Sequence, residues 1–160
     1  MRQTNTHIFF WGSCFSNWFL TSFEYKNELF ANSEQALMFE KARLMNDHVS
    51  KEKILKENDP KKVKILGRKV APWDQELWDQ KCLELMTDIL IAKFGSNENL
   101  RSKLLATGEK VLVEASPHDK IWGIGLHYSD DKVLDEKNWK GSNLLGKSLM
   151  AARQKLKSES

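Results

Sequence analysis

Apolar positions repeat at helical spacing over most of the chain. In Asn32 to Met45, NSEQALMFEKARLM, the residues Leu37, Met38, Ala42, Leu44 and Met45 share one face at about 100° per residue. Asn32 stands as N-cap, and Gln35 completes a capping-box pattern. Asp47 opens a second helix carrying Val49, Ile54 and Leu55, ended by Asn58-Asp59-Pro60. Asp59 as N-cap with Pro60 at the first position starts a third, through Val63, Ile65 and Leu66 to Gly67. Beyond Pro72, Asp74 caps the longest pattern, in which Trp78, Cys82, Leu85 and Ile89 form an apolar stripe and Gly95 stands at the expected C′ position. Asn97 starts a helix through Leu100, Leu104 and Leu105 that stops at Thr107-Gly108. Gly141-Ser142-Asn143 caps a last one with Leu145, Leu149, Ala152 and Leu156.

Elsewhere the period shortens. Ile8 to Trp11 reads as a buried strand or extended segment, followed by a GSCFSNW loop in which Asn17 is a turn residue or a ligand-facing group. Phe23 to Tyr25 and Glu28 to Phe30 flank Lys26-Asn27 as a small hairpin. Val111 to Ala115 and Ile121 to Leu126 read as two strands joined by the polar loop 116–120, with Gly123 and Gly125 permitting close backbone approach around Ile124. Residues 129–140 read as a polar loop ending at Trp139.

At 160 residues the chain fits one domain, 1–160, able to bury a core without staples. No apolar run approaches the 18 or so residues of a membrane span, and the N-terminus lacks a secretory pattern, which points to the cytoplasm. Cys14 and Cys82 stand alone, as reduced core thiols. A net charge of +3 is too slight to imply duplex DNA binding. Lys51 to Lys69 concentrates basic residues, either a solvated helical face or a mild attraction for phosphate. Six Trp residues exceed what the core of so short a chain needs, and some could line a pocket.

Candidate chemistry begins at the first helix. Glu34 and Lys41 fall in the middle of its apolar face, close to two turns apart, roughly 10 Å along the axis; Gln35, Ala36, Phe39, Glu40 and Arg43 take the other side. Desolvation favours the neutral amine, a nucleophile toward aldehyde-like carbon. A buried structural pair or a snorkelling Lys41 accounts for the same pattern. No GxGxxG follows a strand, GxSxG and HExxH are absent, and the four His show no metal-ligand spacing. A dehydrogenase and a zinc hydrolase are disfavoured. Carboxylates and one lysine suit cleavage at an anomeric carbon, where a carboxylate offsets oxocarbenium-like charge and an acid protonates the leaving nitrogen.

The segments FFWGSCFSNW, ANSEQALMFEKA, LGRKVAPWDQELWD to AKFGSN, LLATGEKVLVEASPHDKIWGIGL and WKGSNLLGKSLMAAR together resemble the YbiA-like, or NADAR, family over about residues 8–156. The resemblance implies a mainly α domain with a few short β-strands, acting as an N-glycosidase without metal or organic cofactor. Its implied substrates are the aminopyrimidine ribosyl phosphates of early riboflavin synthesis, with release of ribose 5-phosphate, or ADP-ribosylated guanine in nucleic acid. It places Lys41, Glu114 and Asp119 in catalytic positions, with Glu34, Trp122 and Gly123 in the pocket, while a turn anchor at Glu114, a loop brace at Asp119 and simple packing of Trp122 account for the same residues. Asn17 and Asn143 are weaker candidates, explained also as turn and cap residues, and Arg68 could meet the 5-phosphate by its charge. Lys26-Asn27 departs from the Asp-Gly common in the family. From another class, the domain could bind ADP-ribose or NAD without catalysis.

Overall fold

The computed structural model describes residues 1–160 and is mainly helical with a few short strands. The strands are β1 (Arg2–Gln3), β2 (His7–Phe10), β3 (Phe23–Tyr25), β4 (Glu28–Phe30) and β5 (Val111–Glu114). The helices are α1 (Ser33–Leu44), α2 (His48–Leu55), α3 (Pro60–Arg68), α4 (Gln75–Gly95), α5 (Glu98–Leu105) and α6 (Leu144–Ser158). The chain divides into two compact units, 17–97 and 1–16 with 98–160.

In the unit of residues 17–97, α1 packs against α2, α3 and α4. Its Asn32 cap accepts from the Gln35 amide at 2.8 Å, but the capping box closes one residue early, Gln35 Oε1 accepting from Ala31 rather than Asn32. The side of α1 opposite Glu34 and Lys41 is mostly buried as well: Gln35, Ala36, Phe39 and Glu40 are all buried, and only Arg43 reaches solvent. Glu40 can be buried because it accepts from the Tyr25 hydroxyl at 3.0 Å, Lys26 at 2.9 Å and Arg43 at 2.6 Å. Lys26 and Asn27 both adopt positive φ, 50° and 64°, so the β3–β4 hairpin closes through a left-handed two-residue turn without glycine. Gly67 does not end α3, which runs on to Arg68; a Cβ there would collide with Met38, so the glycine serves the close α1–α3 contact. Gly95 is likewise helical, and Ser96 caps α4 instead. The Trp78, Cys82, Leu85 and Ile89 stripe is buried.

In the other unit, β2 pairs in parallel with β5 and antiparallel with β1, giving the order β1-β2-β5. Phe9, Val113, Ala115, Ile124, Leu126 and Val133 form one buried cluster there. The expected strand at Ile121–Leu126 is absent. Gly125 at φ +71° breaks the extended run, and Ile124 donates its amide to the Glu114 carbonyl at 3.0 Å while its own carbonyl accepts from Lys140 at 2.8 Å. The 129–140 loop contains two short 3-10 turns, Asp131–Leu134 and Glu136–Asn138. Asn143 occupies the N-cap position of α6 at φ 52° but makes no capping bond, because its amide is used elsewhere. No helix is long and apolar enough to cross a membrane.

Candidate active site

Lys41 is half-buried in the third turn of α1, with Nζ 4.6 Å from the centroid of the Trp73 ring and 5.9 Å from that of Trp78. Burial lowers its pKa below the usual lysine range; Glu34 opposes that shift, and Arg68 reinforces it as a like charge. Glu34 is itself buried in the first turn. Asn17 fixes that turn: its carbonyl accepts from the Glu34 amide at 3.0 Å, its Oδ1 accepts from Ser33 at 2.8 Å, and its Nδ2 donates to Met86 Sδ at 3.5 Å. This unit therefore brings Glu34 and Arg68 within electrostatic reach of Lys41 and makes Asn17 a brace for the first turn of α1. Arg68 remains exposed, free to meet an anion.

Two residues of this unit escaped the sequence pattern. Trp73 precedes the α4 cap, where Pro72-Trp73-Asp74 reads as punctuation rather than as a site, yet it is the aromatic residue nearest the amine. Lys93, fully buried on α4, lies 5.1 Å from the Phe94 ring centroid and 5.8 Å from that of Phe19. Apolar neighbours on the same helix face, Met86, Ile89 and Leu90, were the available signal.

The other unit gathers Glu114, Asp119, Trp122, Gly123 and Asn143 around one loop. Glu114 ends β5 as a buried carboxylate. Its amide donates to Asn143 Oδ1 at 3.0 Å, while Asn143 Nδ2 donates to the Leu112 carbonyl at 3.0 Å, so Asn143 clamps the strand end that carries Glu114. Asp119 Oδ1 accepts from the Ile121 and Trp122 amides, each at 2.9 Å, which leaves Oδ2 for a ligand. Trp122 is half-buried and anchored through its carbonyl, which accepts from Leu145 at 3.1 Å. Gly123 is the position where a side chain cannot be admitted: a Cβ would sit 2.9 Å from both the Asp119 and Glu114 carbonyl oxygens. Its role is to let the loop close against β5.

Gly141 to Ser148, GSNLLGKS, also spells the GxxxxGK[ST] pattern of phosphate-binding loops. The structure removes that reading. The amides that would cradle a phosphate are spent on carbonyls: Ser142 on Lys120, Asn143 on Gly123, Leu144 on Ile121 and Leu145 on Trp122, all within 3.1 Å. The Ser148 hydroxyl donates to the Leu144 carbonyl at 2.8 Å. The segment is a clasp for the 119–123 loop. No group of three or more His, Cys, Asp or Glu side chains is arranged to hold a metal ion.

Comparison with known proteins gives these positions a context. The model of the NADAR domain matches residues 9–157. Protein irg-1 of Caenorhabditis elegans is 46% identical over 142 residues, covering 86% of this chain and 67% of that protein. N-glycosidase R617 of Acanthamoeba polyphaga mimivirus is 40% identical over 95% of this chain and 97% of its own length. Riboflavin biosynthesis protein PYRR, chloroplastic, of Arabidopsis thaliana is 35% identical over 68% of this chain and 17% of that protein. Among solved structures, the NMR structure of Escherichia coli YbiA superposes with a TM-score of 0.79 at 27% identity, covering 99% of this chain and 89% of that one.

Proposed function

The chain belongs to the NADAR domain family, and on that premise we propose that it hydrolyses the N-glycosidic bond of aminopyrimidine ribosyl phosphates, the early intermediates of riboflavin synthesis. Relatives named N-glycosidase and riboflavin biosynthesis protein support the bond and the substrate class respectively. The chain is thus a hydrolase of N-glycosyl compounds, and the substrate is the proposed part.

The observation that carries the mechanism is the setting of Lys41, an amine whose basicity burial lowers and whose Nζ stands beside the rings of Trp73 and Trp78. Neutral Lys41 attacks C1 of the ribosyl group. The C1–N bond breaks, its electron pair leaves with the pyrimidine nitrogen, and that nitrogen takes a proton, the role that the family resemblance gives to Glu114 or Asp119. Ring opening then gives a Schiff base between Lys41 and C1, to which water adds; ribose 5-phosphate departs and the amine is restored. Arg68, exposed and cationic, is the residue we assign to the 5-phosphate, and the resemblance gives Trp122 the role of stacking on the base.

Incubation of the protein with the aminopyrimidine ribosyl phosphate in EDTA is expected to release ribose 5-phosphate, and borohydride to trap a ribosyl adduct on Lys41. Lys41→Ala should keep its circular dichroism spectrum and lose activity. Full activity in that variant would eliminate the covalent route.

A second reading keeps the chemistry and changes the substrate to ADP-ribosylated guanine in nucleic acid. It is favoured by the exposed row Lys53, Lys56, Lys61, Lys62, Arg68 and Lys69 on α2, α3 and the turn after them. Turnover of both substrates in parallel separates the two readings. Tight binding of ADP-ribose or NAD without cleavage of either would make the domain a binding module.

A further inference from the structure

Trp73 stands beside Lys41 without a part in the reaction just described. Its indole is 41% exposed, yet it is fixed in place. Nε1 donates to Gln75 Oε1 at 3.0 Å, and the ring meets Trp78 at 6.1 Å and 53°. In the free protein its face holds a cation, the Lys41 ammonium, 4.6 Å from the centroid.

Reaction removes that cation, because the amine must be neutral to attack. In the same step positive charge grows at C1 and the ring oxygen of the ribose. For attack C1 must come within about 3–3.5 Å of Nζ. From the half of approach directions that faces Trp73, that brings the charged carbon within the roughly 6 Å over which an indole face attracts a cation. We propose that the Trp73 face, seconded by Trp78, exchanges the lysine ammonium for the ribosyl cation, so that Trp73 is a catalytic residue stabilising the oxocarbenium-like transition state. This rests on the reading that Lys41 attacks C1. Because the attraction exists in the transition state and not in the neutral substrate, it acts on kcat rather than KM.

The test is a series of tryptophan analogues with one to four ring fluorines at position 73, which drain the face of negative charge while barely changing its shape. With the ribosyl substrate, kcat is expected to fall stepwise to about a tenth across the series, with KM held within about twofold. Trp73→Phe should give an intermediate rate and Trp73→Leu the lowest. Binding supplies a readout independent of turnover. The protein should prefer protonated 1,4-dideoxy-1,4-imino-D-ribitol over neutral 1,4-anhydro-D-ribitol, and the preference should shrink with each fluorine. Rates and binding preferences that stay flat across the series would overturn the proposal while leaving the lysine mechanism standing. A fluorine-dependent preference in a protein that cleaves neither glycoside would keep the cation site and sink the reading on which it was placed.

Discussion

Lys41 has two charged neighbours acting in opposite directions, so its protonation is open to adjustment from either side. Activity is expected to rise with pH as the ammonium loses its proton, with a midpoint below the usual lysine value. Arg68→Gln removes a like charge and should move that rising limb to higher pH, while Glu34→Gln removes the opposing carboxylate and should move it lower. Rate against pH for the three proteins checks both signs, and shifts in one common direction would contradict the assignment of Lys41. The same depressed pKa means that the unfolded chain binds the proton more tightly than the folded one. Below the unfolded pKa Lys41 therefore weakens the fold, a cost that fades as pH rises toward that value. Lys41→Met should lose activity and yet melt no lower than the parent at pH 7. Glu40 is the reverse case. Burial works to raise its pKa, but hydrogen bonds and charge from Arg43 and Lys26 outweigh it and hold the carboxyl low. Its contribution is full above the ordinary carboxylate pKa and is lost as pH falls through the lowered one. Glu40→Gln should cost about 1–2 kcal/mol at neutral pH, read by denaturant unfolding, because Lys26 and Arg43, each nearly half exposed, lose their buried partner.

Among the elements, α1 shows most clearly where pattern reading succeeds and where it stops. Its cap, its span and the inward setting of Glu34 and Lys41 were legible because they depend on residues within two turns of each other. Burial of the opposite side was not, since the residues that satisfy Glu40 lie in β3 and its turn, and amphipathic periodicity says nothing about a polar partner brought from elsewhere. Gly67 is the same lesson in backbone terms: a helix-ending residue by propensity proves to be the place where α3 approaches Met38. Gly67→Ala should lower stability by about 1–3 kcal/mol through overpacking, and Met38→Ala in the same chain should recover part of it; additive losses in the double mutant would exclude the contact as the cause. The β3–β4 turn offers the opposite sign. Asn27 sits at φ 64°, where glycine carries no Cβ penalty, so Asn27→Gly should leave the melting temperature unchanged or slightly raised.

At the scale of the molecule, the unit of residues 17–97 was the more legible because it is continuous in sequence and built from helices that declare their own ends. The unit formed by residues 1–16 and 98–160 rests on β2 pairing with β5, and a parallel ladder between strands about a hundred residues apart leaves no local trace. The catalytic candidates Glu114, at the end of β5, and Asp119, on the loop after it, came from family resemblance; the absence of a strand at Ile121–Leu126 was not legible, since apolar content alone does not reveal that Gly125 turns left-handed. Charge is the property of the whole that still divides the two substrates. A net +3 is small, but Lys53, Lys56, Lys61, Lys62, Arg68 and Lys69 are exposed along one short stretch. If three of them meet phosphates of a single strand, affinity for an ADP-ribosylated oligonucleotide should fall roughly 20-fold between 50 and 200 mM salt, following a slope of about −0.7 per phosphate. Cleavage of a small ribosyl phosphate, which carries no condensed counterion layer and meets Arg68 alone, should change far less over the same range. Lys61→Glu with Lys62→Glu should flatten the salt dependence for the oligonucleotide and leave the small substrate's KM where it was. Equal salt slopes for the two substrates would mean that this basic stretch is a solvated surface, and the choice between them would then fall to the turnover assay.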